Sequence, residues 1–216
     1  MKYISREVTS NQSGVHEKIA EIIDKNRRFV YKKPIQNHNK LAFESAFRII
    51  QECEYSPILD SCCGTGHSTV WLANQFPERV VIGIDQSEVR LHKQHELPAN
   101  AYLLRTNCED FWRLCSEANI VFYRHFILYP NPWPKSEHIK RRWHGHPVFT
   151  YLPQLSESIE VRSNWSIYID EFALAWKLLT GKKGVTEEYK TQQYVTRFEE
   201  KYSKSGQALF RFFTEK

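Results

Sequence analysis

Apolar and polar positions follow two different rhythms along this chain. Val15, Ile19, Ile22 and Ile23 recur at helical spacing, which predicts an amphipathic helix over about 14–25. Ala42, Phe43, Ala46, Phe47, Ile49 and Ile50 predict a second helix, ending before Ser56-Pro57. Short apolar runs then take over. "PILD" (57–60) and "VVIGID" (80–85) read as buried strands, with a helix over about 68–76 between them. "AYLL" (101–104) is a third strand, a fourth lies within "IVFYRHFILY" (120–129), and "SIEVRS" (158–163) is a fifth. Ile169, Phe172, Trp176 and Leu179 mark a long helix that Gly181 stops, and "QALFRFF" (207–213) closes the chain as a strand. Strands alternating with helices predict a doubly wound α/β sheet with helices on both faces. We expect one domain, 56–216, with an amino-terminal helical segment, 1–55, packed on it.

Composition narrows the class. The chain has 216 residues, 41% hydrophobic and 25% charged, which suits a globular protein and no disordered or fibrous one. No apolar run approaches the roughly 20 residues of a membrane span, and the start of the chain has no apolar signal core, so a cytoplasmic location is expected. Five cysteines, among them the adjacent Cys62 and Cys63, form neither a disulfide framework nor a zinc-type pair. The net charge of +5 is modest but concentrated in Lys25, Arg27, Arg28, Lys32 and Lys33, and in Lys135, Lys140, Arg141 and Arg142. Phe29, Tyr31, Trp133 and Trp143 interleave with these cations, a pattern that suits a nucleic-acid face.

The candidate chemistry starts at "ILDSCCGTGHST" (58–69). A strand ending at Asp60 runs into a small-residue turn through Gly64 and Gly66 that opens a helix, so the backbone can approach a ligand closely. The next strand ends in Asp85, an acid placed to accept bonds from ribose hydroxyls, and Gln86 follows it. A dinucleotide site would carry a third glycine where Ser68-Thr69 stand. The pattern Asp60-x-x-x-Gly64-x-Gly66 instead resembles motif I of the class I S-adenosylmethionine-dependent methyltransferases, with Cys62 in place of its first glycine. That resemblance implies S-adenosylmethionine as cofactor, held by Asp60, Cys62, Gly64, Gly66, Asp85 and Gln86, with Asn107, Cys108 and Glu109 of "TNCED" (106–110) flanking the adenine.

After the fourth strand comes "LYPNPWPKSEHIKRRWHGHPVF" (128–149), stiffened by Pro130, Pro132 and Pro134. Through Pro132, Trp133, Lys135, His138, Lys140, Arg141 and Arg142 it resembles the "DPWxKxRHxKRR" signature of the tRNA (guanine-N7-)-methyltransferases. "RSNWSIY" (162–168) resembles that family's "TDWxxY", "TRFEEK" (196–201) its "TxFExK/R", and "LFRF" (209–212) its final strand. The resemblance runs from about residue 56 to the end. It implies a seven-stranded, mostly parallel sheet with an antiparallel strand near the carboxyl end, and methylation of N7 of a guanosine in the variable loop of tRNA. Asn131, Asn164, Thr196 and Glu199 would hold the base, and Trp133, Lys135, His138, Lys140, Arg141 and Arg142 the RNA. The protein is expected as a monomer or homodimer.

Three positions depart from the signature. Asn131 and Asn164 stand where the family has aspartates, and Glu137 replaces an arginine. Asparagine accepts through one oxygen and donates through its nitrogen, so the pocket loses charge and acceptors. That leaves two alternatives: methylation of another substrate, such as an adenine amino group, or a catalytically silent cofactor- and RNA-binding protein. An unrelated nicotinamide-dependent enzyme is a more remote reading. His138, His144 and His146 lie close in sequence, but no acid or cysteine is spaced to complete a metal site. They read as solvent-facing or phosphate-contacting, and no metal is expected.

Overall fold

The computed structural model describes residues 5–93 and 96–215. In chain order the elements are α1 (Ile19–Arg28), α2 (Asn37–Gln51), β1 (Ile58–Ser61), α3 (His67–Gln75), β2 (Val81–Asp85), α4 (Glu88–Leu91), β3 (Ala101–Arg105), α5 (Cys108–Glu117), β4 (Arg124–Leu128), α6 (Leu152–Leu155), β5 (Ile159–Ser163), α7 (Ser166–Thr180), β6 (Val185–Tyr189), α8 (Arg197–Lys204) and β7 (Leu209–Phe213). Short 3₁₀ turns fill 136–151 before α6. The strands form a seven-stranded sheet in the order β3-β2-β1-β4-β5-β7-β6. No helix among the described residues is long and apolar enough to cross a membrane.

The chain divides into two compact units. One comprises Lys33–Leu128 and Tyr151–Ile159. Here β1 pairs in parallel with both β2 and β4, and β2 with β3. β1 and β2 are buried at every position, as strands covered on both faces must be, which is why they read as unbroken apolar runs. The strand order reverses at β1/β4, and right-handed crossovers on either side of a reversal put helices on opposite faces. α3 lies close on β2 because Gly83 has no side chain: a Cβ there would meet Thr69 Oγ1 at 2.3 Å.

The other unit comprises the residues up to Lys32, Tyr129–Thr150 and Glu160–Lys216. Its β7 runs antiparallel to both β5 and β6. α7 packs on β7 and on α1, around Phe172, Trp176 and Phe212. The predicted first helix begins later than its apolar spacing suggested, at Ile19 rather than near residue 14. Residues 10–16 are held by other bonds: the Ser10 hydroxyl donates to the Pro134 carbonyl at 2.5 Å, and the His16 N–H to Glu171 at 2.9 Å. Helical geometry there would give up both.

Candidate functional site

The β1–α3 turn carries three left-handed residues, Cys62 (φ 61°), Gly64 (62°) and Gly66 (77°). Gly66 is the N-cap of α3, and a Cβ on it would also meet Leu103 Cδ1 at 2.7 Å. Over Gly64 nothing stands within 4 Å of where a Cβ would be. Its N–H donates to Asp85 Oδ2 at 3.0 Å, so the acid that ends β2 also fastens the turn after β1. Asp85 Oδ1 accepts from the Ser87 N–H (2.8 Å) and pairs with Arg90 (3.0 Å). Gln86 follows, exposed to solvent.

Asp60 is fully buried at the end of β1. Its Oδ2 accepts from the Ser68 and Thr69 hydroxyls at 2.6 and 2.7 Å, whereas Oδ1 has no hydrogen-bond partner. Burial pushes its carboxyl up to about 6; the two hydroxyls pull the other way, and the charge of Asp85 adds to the rise. A buried acceptor with no donor is costly unless something supplies one. The open backbone over Gly64 and this unmatched, partly ionised oxygen fit a ligand carrying a cationic amine, as S-adenosylmethionine does.

After β3, Asn107 caps α5 by accepting from the Asp110 N–H at 2.7 Å, and Cys108 and Glu109 open the helix. Sequence reasoning missed the residue that holds this segment. Buried Asn39 of α2 donates to Asp110 (2.6 Å) and accepts from the Thr106 hydroxyl (3.0 Å) and the Asn107 N–H (3.2 Å). Nothing in "NHNK" (37–40) distinguishes it from a surface asparagine. Cys62 and Cys108 meet with their sulfurs 3.5 Å apart.

The other unit holds the Pro-Trp loop that follows β4 in the chain, and this loop bears two more left-handed residues, Tyr129 (φ 53°) and Trp133 (46°). Aromatic residues rarely adopt this conformation, and such strain persists where surroundings enforce it. At Trp133 the enforcement is visible: Arg142 Nε donates to its carbonyl at 3.1 Å, the Arg141 guanidinium lies 4.7 Å from the ring centre, and His138 meets the ring edge-on. Lys135, Lys140 and Arg141 are exposed. The basic end of α1 adjoins the residues that follow, through Asn26 Nδ2 to the Gly145 carbonyl (3.5 Å) and Tyr31 against His146.

Arg142 corrects the expectation of a phosphate contact. It is fully buried; it pairs with Glu171 at 2.5 Å and donates to Gln12 and to the carbonyls of Trp133 and Lys135. No phosphate reaches it. His144 is likewise neither solvent-facing nor a phosphate contact, being fully buried with Nε2 2.8 Å from Glu171. Burial lowers the His144 pKa although Glu171 opposes the shift, while for Glu171 the bonds from His144 and Arg142 outweigh burial and bring its carboxyl down to about 2.

The presumptive base-holding residues separate into two pairs. Thr196 and Glu199 form a helix-capping motif at the start of α8: the Thr196 hydroxyl accepts from the Glu199 N–H at 3.0 Å. Glu199 is fully buried, its Oε1 facing Arg162 (2.7 Å), Tyr129 (3.0 Å) and Tyr189, and its Oε2 accepting from the Val195 N–H (2.6 Å). Buried and bonded inward as arranged, this carboxylate presents no exposed oxygen to a base edge, against the expectation of direct contact. Asn131 is exposed, its Oδ1 accepting from the Trp133 N–H at 3.4 Å. Half-buried Asn164 donates to Gln207 at 2.8 Å, and Gln207 in turn donates to the Ser5 carbonyl. Among the described residues, no group of three or more His, Cys, Asp or Glu could hold a metal ion.

A family model described as "Putative methyltransferase" matches residues 54–212. A tRNA (guanine-N(7)-)-methyltransferase of Neorickettsia sennetsu is 34% identical over 100 residues, 44% of this chain and 45% of the relative. One of Mannheimia succiniciproducens is 26% identical over 152 residues, 65% and 58% of the two chains. The chain thus spans about half the length of these curated relatives. A solved antibiotic-related methyltransferase shares the fold, with a TM-score of 0.60 at 15% identity, covering 86% of this chain and 97% of that one. With the match extending over most of its length, the chain belongs to this methyltransferase family.

Proposed function

We propose that the protein transfers a methyl group from S-adenosylmethionine to N7 of a guanosine in tRNA, in the cytoplasm. The observation that carries this reading is the loop after β4, where Trp133 is held at positive φ beside Arg141 and among exposed Lys135 and Lys140. A stacking plane set among cations suits a base and its phosphates. The matched relatives carry the same activity in their names.

When bound, the cofactor would supply a methyl group made electrophilic by its sulfonium. Gly64, Gly66 and Asp60 would hold its methionine end, Asp85 and Gln86 the ribose, and Asn107, Cys108 and Glu109 the adenine. Guanine N7 has an in-plane lone pair and no proton, so no general base is needed and the protein's task is positioning. In this reading Trp133 stacks on the RNA, Asn131 and Asn164 offer amide groups to the base, and Lys135, Lys140 and Arg141 hold phosphates. Glu199 works one layer back, tying α8 to β5 through Arg162 and to the start of the Pro-Trp loop through Tyr129.

The test is methyl transfer from labelled S-adenosylmethionine into unmodified bulk tRNA, followed by nucleoside analysis. 7-Methylguanosine supports the proposal. Methylated adenosine would overturn it in favour of an amino-group enzyme read by the asparagines. Absence of any product, with cofactor still bound in a parallel titration, would overturn it in favour of a silent binding protein.

A further inference from the structure

We propose that Cys62 and Cys108 are a redox-sensitive pair that closes into a disulfide and weakens cofactor binding. The pair is not visible in the sequence, where 45 residues separate two cysteines of unrelated context. In the fold one stands in the β1–α3 turn and the other is the first residue of α5, and their sulfurs lie 3.5 Å apart. A disulfide bond is about 2.05 Å long, so closing it requires the sulfurs to approach by about 1.5 Å. Cys62 occupies the place of a motif glycine, so its sulfur is an addition to a turn that needs none. It is half-buried, within reach of a small reagent, whereas Cys63 and Cys115 are buried.

The two thiols have different roles. The hydrogen bond to Cys62, together with burial, pushes the Cys108 thiol well above its usual range. Cys108 therefore stays protonated, and half-buried Cys62 is the sulfur that a small reagent reaches first. The oxidant is a low-molecular-weight disulfide of the glutathione type. The Cys62 thiolate attacks one of its sulfurs, forming a mixed disulfide and releasing one small thiolate. Cys108 then gives its proton to water or buffer, and its sulfur attacks Cys62, releasing the second small thiolate. Two protein thiols are oxidised and one small disulfide is reduced to two thiols. The new bond ties the turn to α5, the two segments that the proposed function assigns to the cofactor, and this second step rests on that reading.

The experiment equilibrates purified protein with glutathione disulfide, then quenches it in acid, unfolds it and alkylates it. Intact mass is expected to show the loss of two hydrogens, and peptide mapping a single Cys62–Cys108 cross-link with the other three of the five cysteines alkylated. A mixed disulfide that never resolves, no oxidation, or a cross-link to a different cysteine overturns the pair, whatever the protein's activity. Calorimetry with S-adenosylmethionine is expected to show affinity falling about tenfold on oxidation and recovering with dithiothreitol. Cys62→Ser, whatever its own affinity, should bind equally before and after oxidant, whereas Cys108→Ser should stop at the mixed disulfide on Cys62 and form no cross-link. A cross-link with unchanged affinity overturns the switch. Cross-linking in a protein that binds no cofactor even when reduced keeps the dithiol, removes the coupling and counts against the proposed function instead.

Discussion

Asp60 carries a cost that its neighbours do not explain. Ser68 and Thr69 satisfy one carboxylate oxygen, and the other is buried with no donor. Its folded pKa, about 6, lies above the ordinary 3.8, so its contribution to stability is present in acid and is lost as pH rises through about 6. Asp60→Asn retains an acceptor for the hydroxyls and removes the charge. The unliganded variant should be more stable than the parent near neutral pH by about 2 kcal/mol in chemical denaturation. Affinity for S-adenosylmethionine should move oppositely, falling about tenfold. In the parent, binding a cation requires the ionised carboxylate, so affinity should weaken as pH drops below about 6, a dependence absent from the variant. A variant that gains stability and keeps its affinity at every pH would show that Asp60 faces no cation.

At the scale of elements, the Pro-Trp loop takes its shape from a buried cluster rather than from its prolines alone. Arg142 donates to the Trp133 and Lys135 carbonyls, and Glu171 of α7 gathers Arg142, His144, Gln12 and the His16 N–H. The amino-terminal segment 12–16 and the loop are thus tied to one carboxylate. Arg142→Lys, one charge for another, cannot span the same acceptors as a planar fork. It should lower kcat/KM for tRNA about tenfold and leave the salt slope of RNA binding unchanged. Arg141→Ala should do the reverse, reducing that slope by about one unit in a log–log plot. A reduced slope for Arg142→Lys would return Arg142 to the phosphate surface. Glu171→Gln, which strands a buried guanidinium, should destabilise the protein by about 3 kcal/mol.

The same cluster shows what the sequence conceals. The central strands were legible because burial on both faces writes an unbroken apolar run, and the glycine turn because its spacing is local. Arg142 and His144 read as surface because charged residues usually are, and their partner Glu171 lies more than 25 residues on, marked by nothing nearby. β6, "VTEEY" (185–189), went unread for a different reason: as an edge strand it is exposed along nearly all its length and carries no apolar alternation. Thr196 and Glu199 were found through a motif, but the motif did not say that their hydrogen bonds turn inward.

For the whole molecule, these buried titratable groups predict an uneven response to acid. In the unit built on β1–β4, burial brings His125 down to about 3 and raises Asp60 to about 6. The histidine loses stability as pH falls below 6.5, because the unfolded chain takes up a proton that the fold refuses. The aspartate gains stability as pH falls from 6 toward 3.8, because the fold takes up its proton first. Over pH 6 to 4 each amounts to about 2 kcal/mol, and they nearly cancel. In the unit built on β5–β7 and α7 the signs agree. His144, with its pKa lowered, loses stability below 6.5, and Glu171, at about 2 against an ordinary 4.5, adds its own loss below 4.5. Acid should therefore open the second unit first. Hydrogen exchange, corrected for intrinsic rates, should show protection falling between about pH 7 and pH 5 in α7 and 143–149 while β1, α3 and β4 keep theirs. His144→Phe should abolish that early loss, since a ring without a titrating nitrogen carries no proton linkage. Equal loss in both units, or an unaltered pH profile in His144→Phe, would show that acid acts elsewhere.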